Sequence, residues 1–91
     1  MSAAGGIAVR VRYLSAVRDQ AGTRSDEVSL PGDSTLADLS AWISTHRRIR
    51  VPAPSVMSTL NGHGWSQLPA GLQTVLHDGD EVALFPLLSG G

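Results

Sequence analysis

The 91-residue chain contains no cysteine, which removes thiolate nucleophiles, disulfides and cysteine-ligated zinc from consideration. Lysine is absent as well: the seven basic side chains are all arginine. A chain without lysine offers no side-chain amine on which an isopeptide bond could be built. Neither charge sign dominates. The formal net charge is −1 with acids and bases interspersed, so neither a nucleic-acid nor a membrane partner is expected on electrostatic grounds. No stretch approaches the ~20 apolar residues that a membrane helix requires. Met1 to Gly6 has neither a charged leader nor a long apolar run, so export is not expected and a cytoplasmic location is.

What is present fits one domain, large enough to fold without metals or disulfides. Residues 1–6 are small and featureless and read as a disordered N-terminus; 7–86 read as the folded domain. Ile7, Val9, Val11 and Tyr13 alternate with Ala8, Arg10 and Arg12, the period of a half-buried strand. Residues 14–22 read as a short helix with Leu14, Val17 and Ala21 on one face and Gly22 as its C-cap. A second strand puts Val28 and Leu30 inward and ends at Pro31-Gly32-Asp33. Thr35 and Asp38 form a capping box for the main helix, whose Leu36, Leu39 and Ile43 make an apolar stripe flanked by Trp42. His46, Arg47 and Arg48 crowd its C-terminal end, where cations suit the helix dipole, and Pro52 and Pro54 forbid its continuation.

Val56 to Leu60 form a third strand, and Asn61-Gly62 is a hairpin turn. Trp65 to Leu68 fit a short returning strand, while Leu72 to Leu76 fit either a helical turn or an extended link. Asp78-Gly79 turns the chain into a last strand with Val82 and Leu84 inward and Phe85 facing the other way, closed by Pro86. The first and last strands are the natural parallel pair at the centre of a sheet, because the intervening chain supplies a helical crossover. The expected fold class is therefore α+β: a β-grasp, ubiquitin-like mixed sheet with its first and last strands central and parallel, and one main helix on one face. Val9, Val11, Leu36, Leu39, Ile43, Val82 and Leu84 are its expected core.

The sequence closes on Leu87-Leu88-Ser89-Gly90-Gly91. At a glycine frequency of roughly 7%, a terminal pair arises by chance about once in 200 chains. A glycine pair has no Cβ atoms and can thread a channel too narrow for other residues. Extended, residues 87–91 span about 17 Å at most, enough to carry a carboxylate deep into another protein. These residues read as a flexible tail. Ser-Gly-Gly has no apolar surface to offset the entropy of ordering.

Val9 to Arg18, the closing Gly22, the Asn61-Gly62 turn and the Asp78-Gly79-Asp80-Glu81-Val82 … Phe85-Pro86 … Gly90-Gly91 ending resemble the ubiquitin-like sulfur carriers of the MoaD/ThiS family. The short helix after the first strand makes the chain most similar to those that form the small subunit of molybdopterin synthase. The chain departs from the family pattern at Leu87 and Leu88, where a second proline and a valine are common.

The resemblance implies that Gly91 is adenylated by an E1-like enzyme that uses ATP and is then converted to a thiocarboxylate by a persulfide donor protein. It implies no bound cofactor, and sulfur donation in a heterotetramer with a large catalytic subunit during molybdenum-cofactor synthesis. It also implies partner contacts at Phe85 and Arg18, with Leu87, Leu88 and Ser89 extending that surface and Gly90 leading to the reactive terminus. Thiamine, cysteine, thiolated-RNA or metabolite pathways, a ubiquitin-like modifier and a plain interaction module remain alternatives.

Other candidates have ordinary explanations. Arg18 also fits a solvated helix arginine paired with Asp19 or Asp38. Asp78, Asp80 and Glu81 fit turn chemistry. His46, His63 and His77 lack ligand spacing, so no metal site is expected. Arg47, Arg48 and Arg50 fit a helix C-terminal charge. With no nucleophile elbow, the chain is expected to carry no self-contained active site.

Overall fold

In the computed structural model, which describes residues 6–87, Val9, Val11 and Tyr13 of the first strand are buried on one face and Arg10 and Arg12 are exposed on the other. The elements run β1 (Gly6–Tyr13), α1 (Ala16–Ala21), β2 (Ser25–Pro31), α2 (Leu36–Arg47), β3 (Val56–Leu60), β4 (His63–Gly64) and β5 (Glu81–Pro86). Two 3₁₀ turns, Trp65–Gln67 and Gly71–Gln73, separate β4 from β5. The sheet has five strands in the order β2-β1-β5-β3-β4. β1 is parallel to β5, with Val11 opposite Val82, and every other pairing is antiparallel. This is the expected β-grasp architecture.

α2 begins with the expected capping box: Thr35 Oγ1 accepts from the Asp38 N–H at 3.4 Å, and an Asp38 carboxylate oxygen accepts from the Thr35 N–H at 2.9 Å. Leu36, Leu39 and Ile43 are 0% exposed, as are Val9, Val11, Val82 and Leu84. Full burial of each such aliphatic side chain contributes about 1.5–3 kcal/mol, so this helix–sheet seam dominates the fold. Ile49, Val51, Leu60, Trp65 and Leu76 complete the core from the segments that wrap the far edge.

Several expectations need correction. Gly6 already belongs to β1. Leu14 does not share the buried face of Val17 and Ala21; the helix starts only at Ala16, and Leu14 is 37% exposed. The return strand is His63–Gly64, set by Asn61 and Gly62, both at positive φ as a type I′ hairpin demands. Trp65 to Gln67 is a 3₁₀ turn instead, with the Leu68 N–H donating to the Trp65 carbonyl at 3.2 Å.

Arg47 does more than complement the helix dipole. Its Nε and one terminal nitrogen donate to the two oxygens of Asp26 at 2.7 and 2.5 Å, and the Tyr13 hydroxyl donates to the same carboxylate at 2.8 Å. The network ties β1, β2 and the end of α2 together.

Candidate functional site

The last strand is held on both sides. Along β1, the Arg10 N–H donates to the Asp80 carbonyl and the Leu14 N–H to the Leu84 carbonyl, both at 3.0 Å. Along β3, Met57 stands opposite Phe85 and Ser58 opposite Leu84. The Leu87 N–H donates to the Ser55 carbonyl at 3.0 Å, so the ladder reaches Leu87, which the sequence had assigned to the tail.

The turn feeding β5 is fixed by side chains that a metal-site reading would have claimed. Asp78 accepts from the Ala8 N–H, Asp80 from the His77 N–H and the Asn61 amide, and the Asn61 side chain accepts from the Glu81 N–H. Gly79 at φ 89° makes the reversal possible. Among the described residues no group of three or more His, Cys, Asp or Glu could hold a metal ion.

Strand alternation then sets which side chains can meet a partner. Val82 and Leu84 point to α2, so Ala83, Phe85 and Leu87 belong to the opposite, helix-free face. Phe85 is half-buried there, not largely exposed as expected from sequence. It stands across from Met57, which is 38% exposed, and Leu87 is 53% exposed. The expected apolar strip exists, but with Phe85 as its partly sunken base and Met57 and Leu87 as its accessible part. Met57 was missed in the sequence; its parity with Phe85 across the β3–β5 pair was the available signal.

Arg18 is exposed on α1 and makes no ion pair with Asp19 or Asp38. It lines a groove with Arg10, Arg12, Arg24 and Leu14 at the other side of β5. Leu88, Ser89, Gly90 and Gly91 lie outside the described residues, as does the expected mobility of the tail and of residues 1–5. At the far edge, Pro52, Pro54, Met57, Trp65 and Leu72 line an apolar concavity of about 360 Å³.

The electrostatics of the described body are structural. Arg47 hydrogen bonds hold the Asp26 carboxyl below its usual range, against the opposing effect of burial. Burial first, and the bond to Asp26 second, push the Tyr13 hydroxyl up. Ser34 and Ser40 donate to the Pro31 and Val51 carbonyls. His46 stacks on Trp42 with ring centroids 4.2 Å apart. The face around β5 thus presents an apolar strip of Met57, Phe85 and Leu87 on one side and a basic groove on the other.

This fold is that of the ubiquitin-like β-grasp proteins, a class that includes sulfur carriers and protein modifiers. The chain belongs to the ThiS family, whose model matches residues 11–91. It is similar to the putative molybdopterin converting factor subunit 1 of Pyrococcus furiosus, at 25% identity over 90% of this chain and 99% of that one, with a TM-score of 0.75. It is similar to small archaeal modifier protein 1 of Haloferax volcanii, at 28% identity over 92% of this chain and 99% of that one, with a TM-score of 0.71. A chain in the complex of subunits 1 and 2 of the Helicobacter pylori molybdopterin-converting factor shares the fold, at 22% identity over 93% and 100% of the two chains and a TM-score of 0.65. No curated protein matches.

Proposed function

We propose that the chain is a sulfur carrier for molybdenum-cofactor synthesis, acting as the small subunit of a molybdopterin synthase. The observation that carries this reading is the family match, which runs through the Gly90-Gly91 pair that follows a β5 clamped by β1 and β3 up to Leu87. A rigid root and a side-chain-free tip are what delivery of an acyl carbon into a narrow active site requires. The similarity to the Pyrococcus furiosus protein and the short helix α1 support the molybdopterin pathway.

In this scheme an adenylating partner joins the Gly91 carboxylate to AMP from ATP, releasing pyrophosphate. A persulfide sulfur displaces AMP, and cleavage of the resulting S–S bond by a thiol leaves the thiocarboxylate. The large subunit then receives the tail and takes the sulfur. The described residues contribute by docking, through Met57, Phe85 and Leu87, and by presenting the tail; the chemistry belongs to the partners.

A second reading, a protein modifier joined through Gly91 to lysines of targets, is favoured by the similarity to small archaeal modifier protein 1. ATP–pyrophosphate exchange with the adenylating enzyme of the same organism, followed by thiocarboxylate detection, tests the carrier reading. Deleting Gly91 shortens the reach by about 3.3–3.6 Å, against the ~1 Å that catalysis tolerates, and abolishes activity. Full activity of the truncated chain contradicts the proposal.

A further inference from the structure

Four of the seven arginines gather at one place. Arg10, Arg12, Arg18 and Arg24 line a groove of about 350 Å³ that no carboxylate lines. Arg12 reaches Glu81 at 3.6 Å, with both side chains about half exposed, and such a pair holds little of its charge in place. Arg10 stands in register between Glu27 and Glu81 across the sheet. Arg10, Arg18 and Arg24 make no ion pair among the described residues, in contrast to Arg47, which Asp26 engages with both oxygens.

The groove is built on fixed backbone. Arg10 and Arg12 come from β1, Arg18 from α1, and the Arg24 carbonyl is anchored by the Tyr13 N–H at 2.8 Å. Like charges arranged this way repel one another, and an acidic surface laid over them relieves that repulsion.

Its position gives the groove a purpose. Leu14 lines it and donates its N–H to Leu84, and Tyr13 is in register with Leu84. The groove therefore opens beside Leu84, two residues before the end of β5, within reach of a protein that holds the residues following the strand. We propose that the groove receives an acidic, Asp/Glu-bearing segment of the protein partner that takes the tail, steering encounter and fixing orientation. The inference deepens the docking surface of the proposed function and rests on that reading.

A protein fits better than a nucleic acid. The basic area is one short groove bordered on the same sheet face by Glu27 and Glu81, with the apolar Phe85 and Leu87 beyond. An apolar centre with a charged rim is the anatomy of a protein interface, whereas a phosphate backbone calls for an extended basic track.

The test uses the full chain, isotope-labelled, titrated at low ionic strength with an oligoglutamate peptide and with oligouridylate of matched charge. The peptide should shift the resonances of Arg10, Arg12, Arg18 and Arg24, and Arg18→Gln/Arg24→Gln should weaken its binding about tenfold, within the range of electrostatic steering effects. The charge-matched Arg48→Gln/Arg50→Gln chain should retain the wild-type response. In ATP–pyrophosphate exchange the groove variant should need about tenfold more carrier for half-saturation, with the difference shrinking as salt rises. Tighter binding of the RNA, absence of shifts with the peptide, or equal losses in both double variants overturns the proposal. If the wild-type chain supports no exchange at all, the function reading fails, while the peptide titration still decides the groove.

Discussion

Replacing Asp26 by Ala removes the acceptor for two hydrogen bonds from Arg47 and one from Tyr13 at a single stroke. The consequences differ for the two donors. The Arg47 side chain is 29% exposed and can recover part of its solvation, whereas Tyr13 is 1% exposed and its hydroxyl loses its acceptor inside the protein. Loss of hydrogen bonds to a charged group costs about 1.5–3 kcal/mol, and an orphaned buried hydroxyl adds about 1–3 kcal/mol. The sum is tempered by water reaching Arg47, giving an expected loss of about 3 kcal/mol, well above the 0–1 kcal/mol of an exposed pair. For a domain of this size each kcal/mol moves the melting temperature by about 4–8 °C, so the variant should melt at least about 12 °C lower. Urea unfolding followed by far-ultraviolet circular dichroism at neutral pH measures the difference. Asp26→Asn, which keeps an acceptor for Tyr13, should fall between the two. An Asp26→Ala chain within about 0.5 kcal/mol of wild type, the range of ordinary surface substitutions, would refute the reasoning.

Leu39→Ala, at a fully buried position between α2 and the sheet, should cost about 2–5 kcal/mol in the same unfolding assay. Phe85→Ala should weaken partner binding, measured by calorimetry, by at least about 2 kcal/mol if Phe85 anchors the interface, while the chain still folds cooperatively. Retained affinity would transfer that role to Met57 and Leu87. Stability should also respond to pH at both extremes. The Asp26 contribution is complete above its ordinary value of 3.8 and is lost as pH falls through its lowered folded value. The Tyr13 contribution is complete below 10.0 and is lost as pH rises through the raised folded value. Melting temperatures across the pH range should therefore form a plateau with two shoulders, and the acid shoulder should shrink in Asp26→Asn.

The elements legible in the sequence were those whose signals are local. Alternation in β1 and β5 identified the inward residues because only one face of the sheet meets α2. The Thr35–Asp38 box and the Asn61-Gly62 turn fixed their boundaries through bonds spanning only a few residues. Longer-range pairings were not legible in the same way. Asp26 and Arg47 are 21 positions apart, and nothing local joins them. A signal existed all the same: Asp26 shares the parity of Val28, and a carboxylate on the inner side of a strand needs a donor. Trp65 to Leu68 were read as a short returning strand, yet the i, i+3 spacing of Trp65 and Leu68 is that of a 3₁₀ turn. At the site, alternation placed Phe85 on the correct face but could not give its depth, which depends on neighbours such as Met57 across the β3–β5 pair. The arginine groove escaped notice because its members come from a strand, a helix and a turn, and only the fold brings them together.

The central claim is that Gly91 carries sulfur. Mass spectrometry of the C-terminal peptide, from chain purified out of its native cells under thiol-protecting conditions, tests it most directly. The account predicts a fraction of the peptide heavier by the difference between one sulfur and one oxygen, with the added mass localised to Gly91. It also predicts that this fraction vanishes when the adenylating enzyme is deleted. A peptide found only as the free carboxylate, or only joined through Gly91 to lysines of other proteins, would contradict it.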